Sequence, residues 1–292
     1  MRSDRHTALL ALTGAGIIFG LTVPFSKLAL EGIGPIWLTV ARFALAFPVL
    51  ALVARRTLRG AVTLPVLGWG ALFYGATIVV QNLGIATTSV SHAALILGSV
   101  PVLVALVALA AGRSSVDLMA WVGFTVALGG LVVLTGTNSA GEATPGGDAL
   151  VLGSALLSAL YIVAQPRLLA GRDAVAVTAV QMGSGTLAAL PVALAFEGIP
   201  SAMPGSTALW GFAGLVVLGS VLPFALYAYG QARVAPEVAG AFVNLEPLVG
   251  AGLGALAFGD PFGPGQVGGA IALAAGIALS VSGGALREPA SA

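Results

Sequence analysis

"YAYGQARVAPEVAGAFVNLEP" (residues 227–247) lies over "QNLGIATTSVSHAALILGSVP" (81–101) at a constant offset of 146, matching Gly84 to Gly230, Ala93 to Ala239 and Pro101 to Pro247. Two further overlays keep the same order: "LYIVAQPR" (160–167) on "GLTVPFSK" (20–27), and "QVGGAIALAAGIAL" (266–279) on "WVGFTVALGGLVVL" (121–134). Identity is low, but order and spacing hold, which is how an internal repeat shows itself. The chain is read as two copies of one unit, residues 1–140 and 141–292.

The solvent around that unit follows from composition. Of 292 residues 58% are hydrophobic and 8% charged, against roughly 25% charged in soluble domains. So few charges cannot cover a water-facing surface, so the surface faces lipid. The 41 glycines suit helices packed closely in a bilayer, where small residues let backbones approach. A net charge of +1 argues against nucleic acid as a partner, and the absence of cysteine excludes disulfides and thiolate metal sites. "MRSDRHTALLALTGAGIIFG" (1–20) runs into a span-length apolar segment with no cleavage site after a short core, so it reads as a first span.

A spanning helix needs about 20 mainly apolar residues. Ten segments qualify, near 7–30, 35–55, 64–86, 89–111, 117–136, 148–170, 174–196, 207–231, 236–258 and 264–284, divided by turn-rich breaks such as "TNSAGEATPGG" (137–147). With the N-terminus inside, the inner ends and loops hold Arg2, Arg5, Arg55, Arg56, Arg59, Arg113, Arg167, Arg172, Arg233 and Arg287. The outer loops hold Glu31, Glu142, Asp148, Glu197 and Asp260, with no Lys or Arg. That bias predicts cytoplasmic N- and C-termini in the cell inner membrane. Five spans per unit is an odd number, so the second unit sits upside-down on the first. The fold class is all-α integral membrane, ten helices in two inverted five-helix repeats, the architecture of secondary transporters with a midplane site between halves. Pro101 and Pro247, in repeat-equivalent helices, are the candidate hinges for alternating access.

Charged and polar groups at bilayer depth normally face a cavity or a partner. Glu246 sits mid-span, and Lys27 and Arg42 are the two intramembrane cations; these three are the candidates for ion coupling or a structural charge pair, and the structural reading is favoured for Glu246 and Arg42. Tyr74, Thr77 and Gln81 fall at i, i+3 and i+7, one helical face. Tyr161 and Gln165, and Tyr227 and Gln231, fall at i and i+4. Asn244 stands about 200° around the helix from Glu246, so only one of the two faces a given cavity squarely. The candidate substrate-binding residues are Tyr74, Gln81, His92, Ser99, Tyr161, Gln165, Tyr227 and Asn244. A satisfied interfacial histidine is the favoured reading of His92.

From "FGLTVPFSKLAL" (19–30) through "RFALAFPVL" (42–50) to "LEPLVGAGLGALAFGDPFGPGQVGGAIALAAGIAL" (245–279), the chain resembles the EamA-type branch of the drug/metabolite transporter superfamily. It departs where the family usually carries an acid, since Arg113 occupies the first-half position of Asp260. The resemblance implies export of small metabolites and, by one group of members, of aromatic and other neutral amino acids. Exporters of other metabolites or drugs are the alternative. No Gly-x-Ser-x-Gly elbow, His-Glu-x-x-His or phosphate-binding loop supports an enzyme or a nucleotide-driven pump, and no pore loop or charge ring supports a channel. No metal or cofactor is expected, and ten spans suffice as a monomer.

Overall fold

The computed structural model describes residues 2–87, 96–112, 117–136, 144–200, 202–249, 252 and 263–285. His92, Arg113, Asp260 and most of the 137–147 linker lie outside them, as does the side chain of Lys27. The elements among them are helical throughout: α1 (Arg2–Phe19), α2 (Thr22–Leu30), α3 (Pro35–Val53), the short α4 (Leu58–Ala61), α5 (Leu64–Gly70), α6 (Ile78–Thr87), α7 (Val100–Ala110), α8 (Leu118–Gly136), α9 (Pro145–Leu169), α10 (Ala174–Phe196), α11 (Ser206–Val216), α12 (Leu222–Gln231), α13 (Pro236–Ala241) and α14 (Pro264–Ala285). A π-helical turn, Ala71–Thr77, joins α5 to α6, and a second, Val217–Val221, joins α11 to α12. A 3₁₀ turn, Phe242–Asn244, continues α13.

Six of these stretches are long and apolar enough to cross a membrane: Pro35–Val53, Leu64–Gly84, Pro145–Leu169, Ala174–Phe196, Ser206–Gln231 and Pro264–Ser282. Arg5–Phe19, Val100–Ala110 and Leu118–Leu134 are shorter apolar helices. The expected first span, 7–30, is broken at Gly20–Leu21 into α1 and α2. Of the fourth and ninth expected spans, only 96–111, and 236–249 with residue 252, are described.

Glycine sets how the helices meet. A Cβ on Gly123 would lie 2.7 Å from Gly276 O, and one on Gly130 2.7 Å from Gly269 O. Rising numbers on α8 meet falling numbers on α14, so the two helices are antiparallel. Gly123 and Gly269, and Gly130 and Gly276, are each 146 apart, so the contact repeats with the halves exchanged. The same exchange recurs elsewhere. Gly84 packs on Val151 and Gly147, while Gly230 packs on Leu12 and Ala8, with α9 and α1 related by 139. Both π turns, starting at Ala71 and Val217, keep the offset of 146. These contacts correct two overlays by one residue each: 121–134 matches 267–280, and 20–27 matches 159–166.

One end of the bundle gathers Ala54, Ala61, Val66, Leu168, Leu169, Val177 and Ala228 around a common apolar cluster, with Arg55, Arg56 and Asp173 lining a surface depression there. Toward the opposite end lie Ile36, Val40, Val79 and Ala193. There Glu197 accepts hydrogen bonds from the backbone amides of Ile36 and Trp37, both at 2.9 Å. The arginine end and the Glu197 end are the levels used below.

Candidate functional site

Toward the Glu197 end, the small faces of Gly16 and Gly20 admit the 242–249 segment so closely that a Cβ on Gly20 would meet Val249 at 2.5 Å and Glu246 O at 3.1 Å. This approach sets the Glu246 side chain beside Thr22. The Thr22 hydroxyl lies 2.6 Å from Phe19 O and 3.4 Å from Glu246 Oε1. A hydroxyl has one proton, and the shorter contact takes most of it. Arg42 faces the Glu246 carboxyl across the space between them.

Arg42 is held from the other half. Its Nε donates to Ser220 Oγ at 2.9 Å and one terminal nitrogen donates to Gly219 O at 2.8 Å. Both acceptors belong to the second π turn. A π turn leaves backbone groups outside the regular ladder and is frequent at functional sites; here one exposed carbonyl meets a guanidinium. Two of the five guanidinium N–H groups are used in this way. Thr22, Arg42 and Glu246 are half-buried.

Beside it stands an aromatic wall. Phe224 makes edge contacts with Phe19 (5.0 Å between centroids), Tyr74 (5.1 Å) and Phe43 (6.2 Å), and Phe73 stacks on Tyr161 at 3.9 Å. The Arg42 guanidinium carbon is 4.8 Å from the centre of the Phe43 ring.

Beyond the wall, toward the arginine end, four polar side chains satisfy one another. Gln165 and Gln181 exchange amide hydrogen bonds of 3.0 and 2.9 Å, Tyr161 donates to Gln181 Oε1 at 3.0 Å, and the Tyr74 and Tyr161 hydroxyls are 3.4 Å apart. Relative exposures of 0% for both glutamines, 1% for Tyr74 and 3% for Tyr161 show that this network is sealed.

Three predicted residues, Tyr74, Tyr161 and Gln165, are thus brought together, with their polar groups turned on each other. Tyr227 is buried and donates to Ala239 O at 2.9 Å. Asn244 is 3% exposed and its Oδ1 has no hydrogen-bond partner among the described residues; the same holds for Gln231 Nε2. Gln81 is half-buried, while its neighbour Asn82 donates to Thr39 Oγ1 at 2.8 Å. Ser99 donates to Ile96 O at 2.6 Å, which closes a local turn. The Tyr74–Thr77–Gln81 stripe presumes an unbroken 3.6-residue helix; Tyr74 and Thr77 instead lie in the first π turn, with Thr77 Oγ1 on Leu72 O at 2.9 Å. Pro101 is at the first turn of α7, where it breaks no helical hydrogen bond. Sequence reasoning missed Gln181, Ser220 and Thr22. Gln181 carried a signal, being an amide seven residues into an apolar span, as Arg42 is in its own.

Against known proteins, one solved structure superposes with a TM-score of 0.84 at 18% identity, covering 97% of this chain and 100% of that one. At that identity the likeness concerns the fold. No curated protein matches the chain. The profile of the EamA-like transporter family matches twice, over residues 6–136 and 145–282. The chain is a multi-pass membrane transporter and belongs to the EamA-like transporter family.

Proposed function

We propose that this transporter exports amino acids, aromatic and other neutral ones, across the cell inner membrane by alternating access of two inverted five-helix repeats, 1–140 and 141–292, with both termini cytoplasmic. One observation supports the substrate class: Arg42, which uses two guanidinium N–H groups among the described residues, and Glu246, with one weak hydrogen bond among them, are both half-buried beside an aromatic wall. A zwitterion presents a carboxylate to the first and an ammonium to the second, and an apolar or aromatic side chain packs on Phe43 and Phe224. Tyr74, Gln81, His92, Ser99, Tyr161, Gln165, Tyr227 and Asn244 remain the wider candidate lining, and Pro101 and Pro247 the candidate hinges.

Counterflow in proteoliposomes tests this. Neutral amino acids should exchange saturably, while the matching amines without the carboxylate should not. Arg42→Gln removes charge-assisted hydrogen bonds worth roughly 1.5–3 kcal/mol and should raise the KM for amino acids about 10- to 100-fold. Equal counterflow of amines and amino acids, or an unchanged KM in Arg42→Gln, would refute the assignment.

A further inference from the structure

The charged cluster and the sealed network occupy equivalent places in the two halves. With α1 to α3 related to α9 and α10 by 139, and the π turns related by 146, Thr22 corresponds to Tyr161, Arg42 to Gln181 and Ser220 to Tyr74. Arg42 and Gln181 each stand seven residues into their helix, counted from Pro35 and Ala174. Each reaches toward the π turn of the opposite half: Arg42 bonds Ser220, and Gln181 approaches Gly70 at the first π turn's start, where a Cβ on Gly70 would lie 2.4 Å from Gln181 Cα. The two sites differ in chemistry and in closure. One is charged and half-buried; the other is neutral, with its four members no more than 3% exposed.

We infer that the Gln165–Gln181 amide pair, with Tyr161 and Tyr74, is the gate at the arginine end, closed in this structure, and that its opening is the counterpart of closing the space around Arg42 and Glu246. The physical ground is that pseudo-symmetric sites exchange states when the repeats rock, and equal sites would give equal closure. A network of neutral, mutually satisfied groups suits a gate. Neutral hydrogen bonds are individually modest, so a dry seal made of them can break once per cycle. A charge pair at the same place would hold the seal too firmly or require a counter-ion to leave it. Both sites lie against a π turn, a local irregularity frequent at functional sites. Phe73, Phe224 and the Tyr74 ring pack between the amide pair and the charged cluster, so the gate and the Arg42 site are adjacent layers.

This inference rests on the carrier reading but not on the substrate class, and its test needs no substrate. The chain has no cysteine, so single reporters are clean. Val177→Cys reports the arginine side of the gate, one turn before Gln181 and 0% exposed. Ser26→Cys reports the other side, one turn beyond Thr22 and half-buried. Both are labelled in membrane vesicles of known orientation with an impermeant thiol reagent. In the Gln165→Leu/Gln181→Leu background, labelling of the Val177 reporter from the arginine side should rise at least tenfold and that of the Ser26 reporter should fall. Tyr161→Phe keeps the stack on Phe73 and removes one hydrogen bond; it should move both rates the same way by about threefold, and it covers the case in which the double variant does not fold. Opposite changes in the two reporters establish the gate. Both rates rising together, as in a loosened bundle, or neither changing, would overturn it, whatever amino acids do in counterflow.

Discussion

Among the described residues Glu246 has one weak hydrogen bond, from Thr22, and an arginine across a gap. Removing the side chain should leave Arg42 uncompensated. Glu246→Ala is expected to lower stability by about 1–3 kcal/mol, and Glu246→Gln, which keeps shape and hydrogen bonds, by less. If the carboxylate couples protons, Glu246→Gln will melt normally and lose only the dependence of flux on a pH gradient. Melting temperature and pH-driven flux, measured together, separate the two roles. Arg42→Lys is the sharper probe. A lysine ammonium is a point donor on a flexible stem and cannot reproduce the fork that spans Ser220 Oγ and Gly219 O. We expect a tenfold or greater loss of flux, and full activity in Arg42→Lys would show that charge alone suffices. Such partnerships were partly legible in the sequence. A lone glutamate in an apolar run announces a compensated site, but it does not name Thr22, 224 residues away.

Among the elements, α8 and α14 meet closely through their glycines. A Cβ on Gly276 would lie 2.3 Å from Ala127 N and 2.6 Å from Gly123 O, against rigid backbone. Gly276→Ala must push the helices apart and should cost roughly 1–3 kcal/mol. Gly129, on the same pair of helices, has nothing within 4 Å of a built Cβ; Gly129→Ala should be neutral or gain up to about 1 kcal/mol of helix propensity. Thermal melts in detergent compare the two, and equal melting points would show that the glycine contact is not limiting. In the sequence, these two helices carry almost no polar residues. That character was legible; the pairing residue was not, since an overlay of alanines, glycines and leucines fits nearly as well one residue out of register. The π turns were invisible for a related reason. "ALFYGAT" (71–77) has no residue that forbids an α-helix, and the slip is imposed by neighbours, including the close approach of Gly75 to Gly185.

For the whole molecule, the topology can be checked with a cysteine at Ser139. It should be labelled from the non-cytoplasmic side, and labelling from the cytoplasm alone would turn the assignment over. That expectation, like the membrane class, comes from the sequence by itself. Each is a partition property: an apolar residue prefers lipid and an arginine prefers the inner side whatever its tertiary neighbours, so a one-dimensional reading is enough. Family membership follows from the same linear pattern. The tertiary structure alone decided which polar groups work together. It turned Tyr161 and Gln165 onto Gln181 and Tyr74 onto Tyr161, placed Arg42 on a π turn from the other half, and left the charged site half-buried while its counterpart is sealed. A hydrogen bond forms over about 3 Å between atoms whose residues lie far apart in the chain, and a helical face keeps its period only until packing adds one residue to a turn. Neither distance nor register is written in residue type, so the site became legible only once the helices had met.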